Sequence, residues 1–260
     1  MTPRTLASTT VLAATLLAGA AQAQSYAQTE KPMFTIGAGV VVAPEYSGSD
    51  SYDTYALPLI SFEREISPGN TVYLKGLNAG LDHAIDERLS VGLMAAYRFD
   101  RESDDSTALA GMRDVDAAIE IGPRIRLQAT PQLGFEANML IDTTNSHNGF
   151  TGRAGADYAM PLSEVTMLTF SGGVNYGSED FVETYYGVTA AEARLGRPAY
   201  NPDAGFTHLD AGVGVRHSFT PNWSVQGRLA ADYLLGDTAD SPLVSDEFQP
   251  KLMLGLAYSF

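Results

Sequence analysis

The chain has 260 residues, carries a formal charge of −15 and contains no cysteine. Nucleic-acid binding needs clustered cations, so this balance argues against it, and the missing thiols exclude a disulfide framework. Mean hydropathy is −0.07, and no stretch approaches the roughly 20 apolar residues of a transmembrane helix, so the chain can span a membrane only as a β-barrel, whose polar lumen face dilutes its hydropathy.

The N-terminus reads as a secretory signal peptide over residues 1–23. Arg4 supplies the positive region, Val11 to Ala21 a short apolar run, and Ala21-Gln22-Ala23 a small-x-small site, with cleavage expected after Ala23. The run is too short for a spanning anchor, and no cysteine follows it to carry a lipid. Residues 24–32 are then a short periplasmic segment, and 33–260 the folded region.

From Phe34 onward the pattern is period-two alternation. Leu89, Val91, Leu93, Ala95, Tyr97 and Phe99 oppose Ser90, Gly92, Arg98 and Asp100. Val115, Ile119, Ile121, Ile125 and Leu127 oppose Asp116, Glu120, Arg124 and Arg126. Leu133, Phe135, Met139 and Ile141 oppose Glu136, Asn138 and Asp142. Leu209, Val213 and Val215 oppose His208, Asp210 and Arg216; Trp223, Val225, Leu229 and Tyr233 oppose Gln226, Arg228 and Asp232. These runs exceed usual soluble strands and match spanning length. Tight turns are predicted at Asp86-Glu87, Thr130-Pro131, Pro161-Leu162-Ser163 and Thr220-Pro221-Asn222. Longer polar segments fall at 101–114, 144–149, 178–205 and 236–249. Short and long alternate, as in an outer-membrane barrel of a Gram-negative bacterium and unlike a soluble sandwich.

The apolar runs count to about eleven, yet such barrels close with an even number. The phase breaks within residues 71–85: Val72 and Leu74 are even, Leu77, Ala79 and Leu81 odd. A strand cannot change faces midway without a turn or bulge. An exposed hairpin tip at Gly76 to Asn78 gives an all-β, antiparallel up-and-down barrel of about 12 strands; a Gly bulge, with Phe34 to Val42 outside the ring, leaves 10.

The inward alternation selects candidate lumen residues: Arg98, Asp116, Glu120, Arg124, Arg126, Glu136, Asp142, Arg153, Asp157, Asp210, Arg216, Arg228 and Asp232. They suit a salt-bridge lattice filling a narrow barrel or a pore whose opposed charges select solutes. Carboxylates outnumber arginines in this set, so an opened pore is expected to prefer cations. In the long segment 178–205, Thr189 as N-cap with Glu192 completing a capping box predicts a short helix over Thr189–Arg194. Tyr185, Tyr186 and Tyr200 would pack it as a lid at the mouth; a mobile adhesive loop is the alternative.

His83, His147, His208 and His217 lack metal-ligand spacing, and no cofactor is implied. His217 and Ser218 are adjacent on a strand and so face opposite ways, which rules them out as base and nucleophile. The last strand places Leu252, Leu254, Leu256, Tyr258 and Phe260 on one face. Its Tyr258-x-Phe260 ending resembles the assembly signal of bacterial outer-membrane barrels, implying contact with the barrel-assembly machinery, membrane lipid and lipopolysaccharide.

Tyr185-Tyr186-Gly187-Val188, then Ala190-Ala191-Glu192-Ala193 and Tyr200-Asn201-Pro202, resemble the MipA/OmpV family of outer-membrane proteins in order and spacing. Pro44-Glu45-Tyr46-Ser47-Gly48-Ser49, Asp114-Val115-Asp116 and Ser241-Pro242-Leu243-Val244 extend the likeness across Phe34 to Phe260. The resemblance implies a non-enzymatic barrel. It further implies a scaffold joining a lytic murein transglycosylase to a penicillin-binding protein, or alternatively a small-solute channel, an adhesin or a stress-response barrel.

Overall fold

The computed structural model describes residues 34–195 and 197–260, so the predicted signal peptide and the segment 24–32 lie outside them. The described residues form twelve strands: β1 (Phe34–Pro44), β2 (Tyr52–Ser67), β3 (Asn70–Lys75), β4 (Asn78–Ala84), β5 (Leu89–Arg98), β6 (Ala118–Gln128), β7 (Leu133–Asp142), β8 (Phe150–Ser163), β9 (Thr166–Gly177), β10 (Gly205–Ser218), β11 (Trp223–Leu234) and β12 (Phe248–Ser259). Each pairs antiparallel with its sequence neighbours, and β1 pairs with β12 to close the barrel. Closure leaves no open sheet edge, which a chain in hydrocarbon requires.

Alternation sets which face of each strand turns inward. Along β6, Ala118, Glu120, Gly122 and Arg124 are buried while Ile119, Ile121, Pro123 and Ile125 are exposed. Exposed apolar side chains recur around the wall, among them Leu93, Leu229 and Leu254. In water a belt this extensive would be a liability, and in a bilayer it is the lipid-facing surface. Aromatic residues gather at both rims. Trp223, Tyr258 and Phe260 touch in series at the short-turn rim, and Phe150, Tyr176 and Phe206 at the other, where aromatic belts meet the lipid headgroups.

Connections 68–69, 85–88, 129–132, 164–165 and 219–222 lie on one side. The turn expected at Pro161–Ser163 falls later because β8 runs on to Ser163 through a register shift beside Pro161, whose missing N–H interrupts the ladder. The phase break at 71–85 is a hairpin, with Lys75 opposite Asn78 and Gly76 at φ 60°, a conformation glycine adopts without a Cβ penalty. Its tip is not the exposed one expected. Leu77 packs on the apolar cluster of Val41, Ala43, Leu57, Leu59 and Met253 that fills the lumen beside β1, β2 and β12, and Asn78 is buried.

Candidate functional site: the charged lumen and its cap

Across β2 to β12 the inner face carries charge. Arg98 forms a two-pronged bond to Glu120, Nε–Oε1 2.9 Å and Nη2–Oε2 3.0 Å. Arg124 reaches Glu136 at 2.9 Å and Asp82 at 3.5 Å, and Arg126 approaches Glu136 at 3.6 Å. Arg153 grips Asp210 at 2.7 and 3.1 Å, with Asn175 donating to the same carboxylate. Lys251 pairs with Asp232, and Lys75 with Glu63 at 2.6 Å. Matching of this kind offsets the cost of burying charge.

Two residues expected in the lumen are elsewhere. Asp116 is exposed in the loop before β6. The backbone there is drawn inward by a bridge between Arg101 and Val115, so Val115 takes the buried position and Asp116 turns to water. Asp142 ends β7 and is spent on the loop 143–149, accepting from the N–H groups of Thr144, His147 and Asn148 at 2.8 to 2.9 Å. Even with Glu63 and Asp82 counted beside Lys75 and Lys251, removing these two acids leaves no carboxylate excess, and with it goes the basis for cation preference. Lys251 was readable from the alternation of the last strand. Lys75 sat in the run whose phase was broken.

Above the lattice the outer mouth is closed by packed loops. The helix α1 (Glu179–Tyr186) starts at Ser178, whose hydroxyl accepts from the Phe181 N–H, and carries Glu179 and Asp180 in its first turn, where carboxylates suit the helix dipole. Its buried residues Phe181, Val182, Tyr185 and Tyr186 pack with Val115 and Val244. Gly187 follows as the C-cap, in extended backbone with its N–H on the Glu183 carbonyl, a carbonyl that a Cβ at this position would strike. That carbonyl accepts from Arg113 Nη2 at 2.9 Å, the Tyr185 carbonyl from Arg101 Nη1 at 2.7 Å, and the Tyr186 carbonyl from Ser241 Oγ at 2.6 Å. Cations at the last turn complement the dipole, so loops 99–117 and 235–247 hold the helix by its C-terminus. A second apolar cluster joins Tyr46, Leu109, Met112, Val188 and Leu243 from four loops, with Tyr200 packed against it. Val188 and Tyr200 bridge backbone to backbone; Asn201 stays exposed while Pro202 is buried.

The capping box forms at the residues expected, but the element it heads is shorter than the helix expected over Thr189–Arg194. Thr189 Oγ1 donates to Glu192 at 2.6 Å, and Glu192 also accepts from the Thr189 and Arg113 N–H groups at 2.8 Å. It heads only a single 3-10 turn, Glu192–Leu195. Burial pushes the Glu192 carboxyl up, yet these bonds outweigh it and hold it below the usual range. The main helix was passed over because it lies in a polar-looking segment, although Ser178, the acids after it and the apolar spacing 181, 182, 185, 186 are readable helix signals.

Cap and wall meet at His147. Its Nε2 lies 2.9 Å from Glu120 Oε1, and its ring meets Phe181 edge to face at 5.2 Å. Arg98 lies over the Phe181 and Tyr185 rings at 4.8 and 5.6 Å. The Tyr185 hydroxyl has no partner among the described residues, and burial pushes it up to about 12. The other histidines bond locally: His83 with Asn70, His208 with Thr207, His217 with Thr166. Beneath α1 remains a cavity of about 160 Å³, bounded by Phe181, Arg98, Glu120, Arg153, Asp210 and Arg228. It can hold several waters but falls short of the roughly 300 Å³ at which drug-sized sites begin.

A sequence model of the family described as MltA-interacting protein MipA matches residues 36–260. The MltA-interacting protein of Escherichia coli K12 is 28% identical over 234 residues, covering 87% of this chain and 90% of its own. The outer membrane protein OmpV of Vibrio cholerae is 25% identical, covering 56% of this chain and 61% of its own. Among solved structures, the NanC porin is similar at a TM-score of 0.47 and 9% identity, covering 87% of this chain and all of that one.

Proposed function

This chain belongs to the MltA-interacting protein (MipA) family and is an outer-membrane β-barrel, and from that premise we propose that it is a non-enzymatic platform for murein-processing enzymes rather than an open pore. The observation that carries this reading is the closed mouth: a cap with its own apolar cores, tied at the C-terminus of α1 by Arg101, Arg113 and Ser241. Beneath it the ion pairs border a cavity of about 160 Å³. The name of the Escherichia coli relative supports a lytic murein transglycosylase as the partner, with a penicillin-binding protein as a second.

A surface for that partner is offered by the end of β2, which runs to Ser67 beside β3. Arg64, Glu65 and Ile66 are exposed there at the short-turn rim, which faces the periplasm in this topology. Purified barrel immobilised in detergent is expected to retain a purified lytic transglycosylase, and Ile66→Asp to weaken retention. Bilayers containing the intact protein are expected to show no porin-sized current steps. Such steps, or no retention by the unsubstituted barrel, would overturn the reading.

A gated channel is the second reading, favoured by the cavity lying directly under α1. Deleting residues 180–200 would then raise conductance in a barrel that still shifts on gels when unheated. A folded deletion that conducts no more than its parent removes this alternative.

A further inference from the structure

The cap carries a second hollow, on its outer side, that the platform reading leaves without a role. This cleft has a volume of about 260 Å³, and its lining residues Arg113, Ala190 and Asn201 are exposed. Two of the segments through which the sequence resembles its family meet there. Val188 and Tyr200 both line the cleft and are tied to each other by paired backbone bonds of 2.8 and 2.9 Å. Tyr200 packs on the apolar cluster of the loops and gives its hydroxyl to the Asp237 carbonyl at 2.8 Å, so its ring is fixed while still half-exposed.

Three polar side chains in the same cleft have hydrogen-bonding capacity to spare. Arg113 commits Nη2 to the Glu183 carbonyl, and its other guanidinium N–H groups have no partner among the described residues. The Glu183 carboxylate and the Asn201 amide are likewise unbonded among the described residues. No ion pair joins Arg113 to Glu183, although both line one space.

A guanidinium offers donors alone, a carboxylate acceptors alone and an amide both. A net anion would be opposed by Glu183 and a net cation by Arg113, so the cleft suits a ligand that is neutral overall. Hydroxyl groups donate and accept at once and satisfy all three side chains. A sugar ring adds an apolar C–H face to set against an aromatic side chain. The volume falls just under the roughly 300 Å³ at which drug-sized sites begin, which suits one such ring. We propose that this cleft binds a single residue of a neutral saccharide, its hydroxyls bonded by Arg113, Glu183 and Asn201 and its ring set against Tyr200. The site is independent of the platform reading, whose partner surface lies at the opposite, periplasmic rim.

The test uses the full barrel in a detergent without a sugar headgroup, with glucose, galactose and mannose as separate probes and proton saturation transfer as the readout. Saturable transfer to at least one hexose is expected. Asn201→Ala and Glu183→Ala are each expected to weaken its binding about fivefold or more, as loss of one net hydrogen bond requires. Ala190→Trp, which sets a ring into the cleft, is expected to abolish binding, and Asp50→Asn in an exposed loop outside the cleft to bind as the parent does. An oligosaccharide ending in the same hexose separates the sources: tighter binding than the free sugar identifies the end of a polysaccharide, equal binding a free sugar. If the unsubstituted barrel shows no saturable transfer to any of the three hexoses, the proposal fails, whether or not the variants fold. Undiminished binding by a folded Ala190→Trp variant would overturn it equally, as would binding of alanine in place of the hexoses, which would show the opposed charges gripping a zwitterion.

Discussion

Replacing Glu120 with alanine tests whether the cap is fastened to the wall through a buried charge. Glu120 is 2% exposed and accepts three bonds, two from Arg98 and one shared with His147. Its removal would leave the Arg98 guanidinium enclosed beneath Phe181 and Tyr185 without a counter-charge. Removing one partner of a buried pair costs about 3–5 kcal/mol. The barrel has a ladder of inter-strand bonds to resist this, whereas the cap can simply lift and let Arg98 hydrate, so the cost falls on cap closure. At about 1.4 kcal/mol per tenfold, even 3 kcal/mol raises the lifted population roughly a hundredfold. Limited proteolysis reads that population when opening is fast relative to cleavage. Cleavage within residues 178–204 is therefore expected to accelerate by about two orders of magnitude. Glu120→Gln, which keeps an acceptor for Arg98, is expected to lie between. An unchanged cleavage rate in a Glu120→Ala barrel that still shows heat-modifiable mobility would refute the idea that this bond fastens the cap.

Four further outcomes follow from the same geometry. Thr189→Ala removes the cap hydroxyl that bonds Glu192 at 2.6 Å and is expected to loosen the 178–204 segment by about 1 kcal/mol, read as severalfold faster cleavage with an unchanged barrel melt. Because Glu192 is held below its unfolded range, its contribution is present above about pH 4 and lost as pH falls through the folded value; cleavage should quicken in acid, and less so in Glu192→Gln. A cysteine at exposed Thr107 is expected to react with an impermeant maleimide on whole cells while one at Glu87 is not, and equal labelling would reverse or abolish the assigned topology. Finally, Phe260→Ala removes ring contacts to Phe34 at 5.6 Å and Tyr258 at 4.9 Å beside the β1–β12 seam, so slower appearance of the heat-modifiable form is expected, and parental assembly kinetics would exclude a role for that ring.

The wall was legible because alternation is a local, redundant signal. Residues 118–128 declare both faces of β6 without reference to any other strand, and the fault at Lys75 to Asn78 located a hairpin because a phase change has few physical remedies. Which inward charge meets which was not legible, because pairing depends on register and barrel curvature. Arg153 finds Asp210 across the intervening β9, although the two are 57 residues apart. Alternation also misled wherever a strand had already ended: Val115 and Asp116 continue the β6 pattern in sequence, but the Arg101 bridge reverses their faces.

The cap was hardest to read, and the reason bears on function. Its apolar cores draw single residues from several loops, as with Tyr46, Leu109, Val188 and Leu243, so no window of sequence contains an apolar face to detect. Loops that need only be soluble have no reason to share a core or to satisfy one another's helix carbonyls. Here Arg101, Arg113 and Ser241, from two different loops, supply the donors that the C-terminus of α1 lacks. Losing one donor leaves the others in place, so a single break should weaken the closure without releasing it. Glu120 differs because it joins the cap's histidine to a wall arginine, a tie across two bodies rather than within one. That joint holds a two-pronged ion pair, a buried histidine and two aromatic rings, which is the arrangement the platform reading requires.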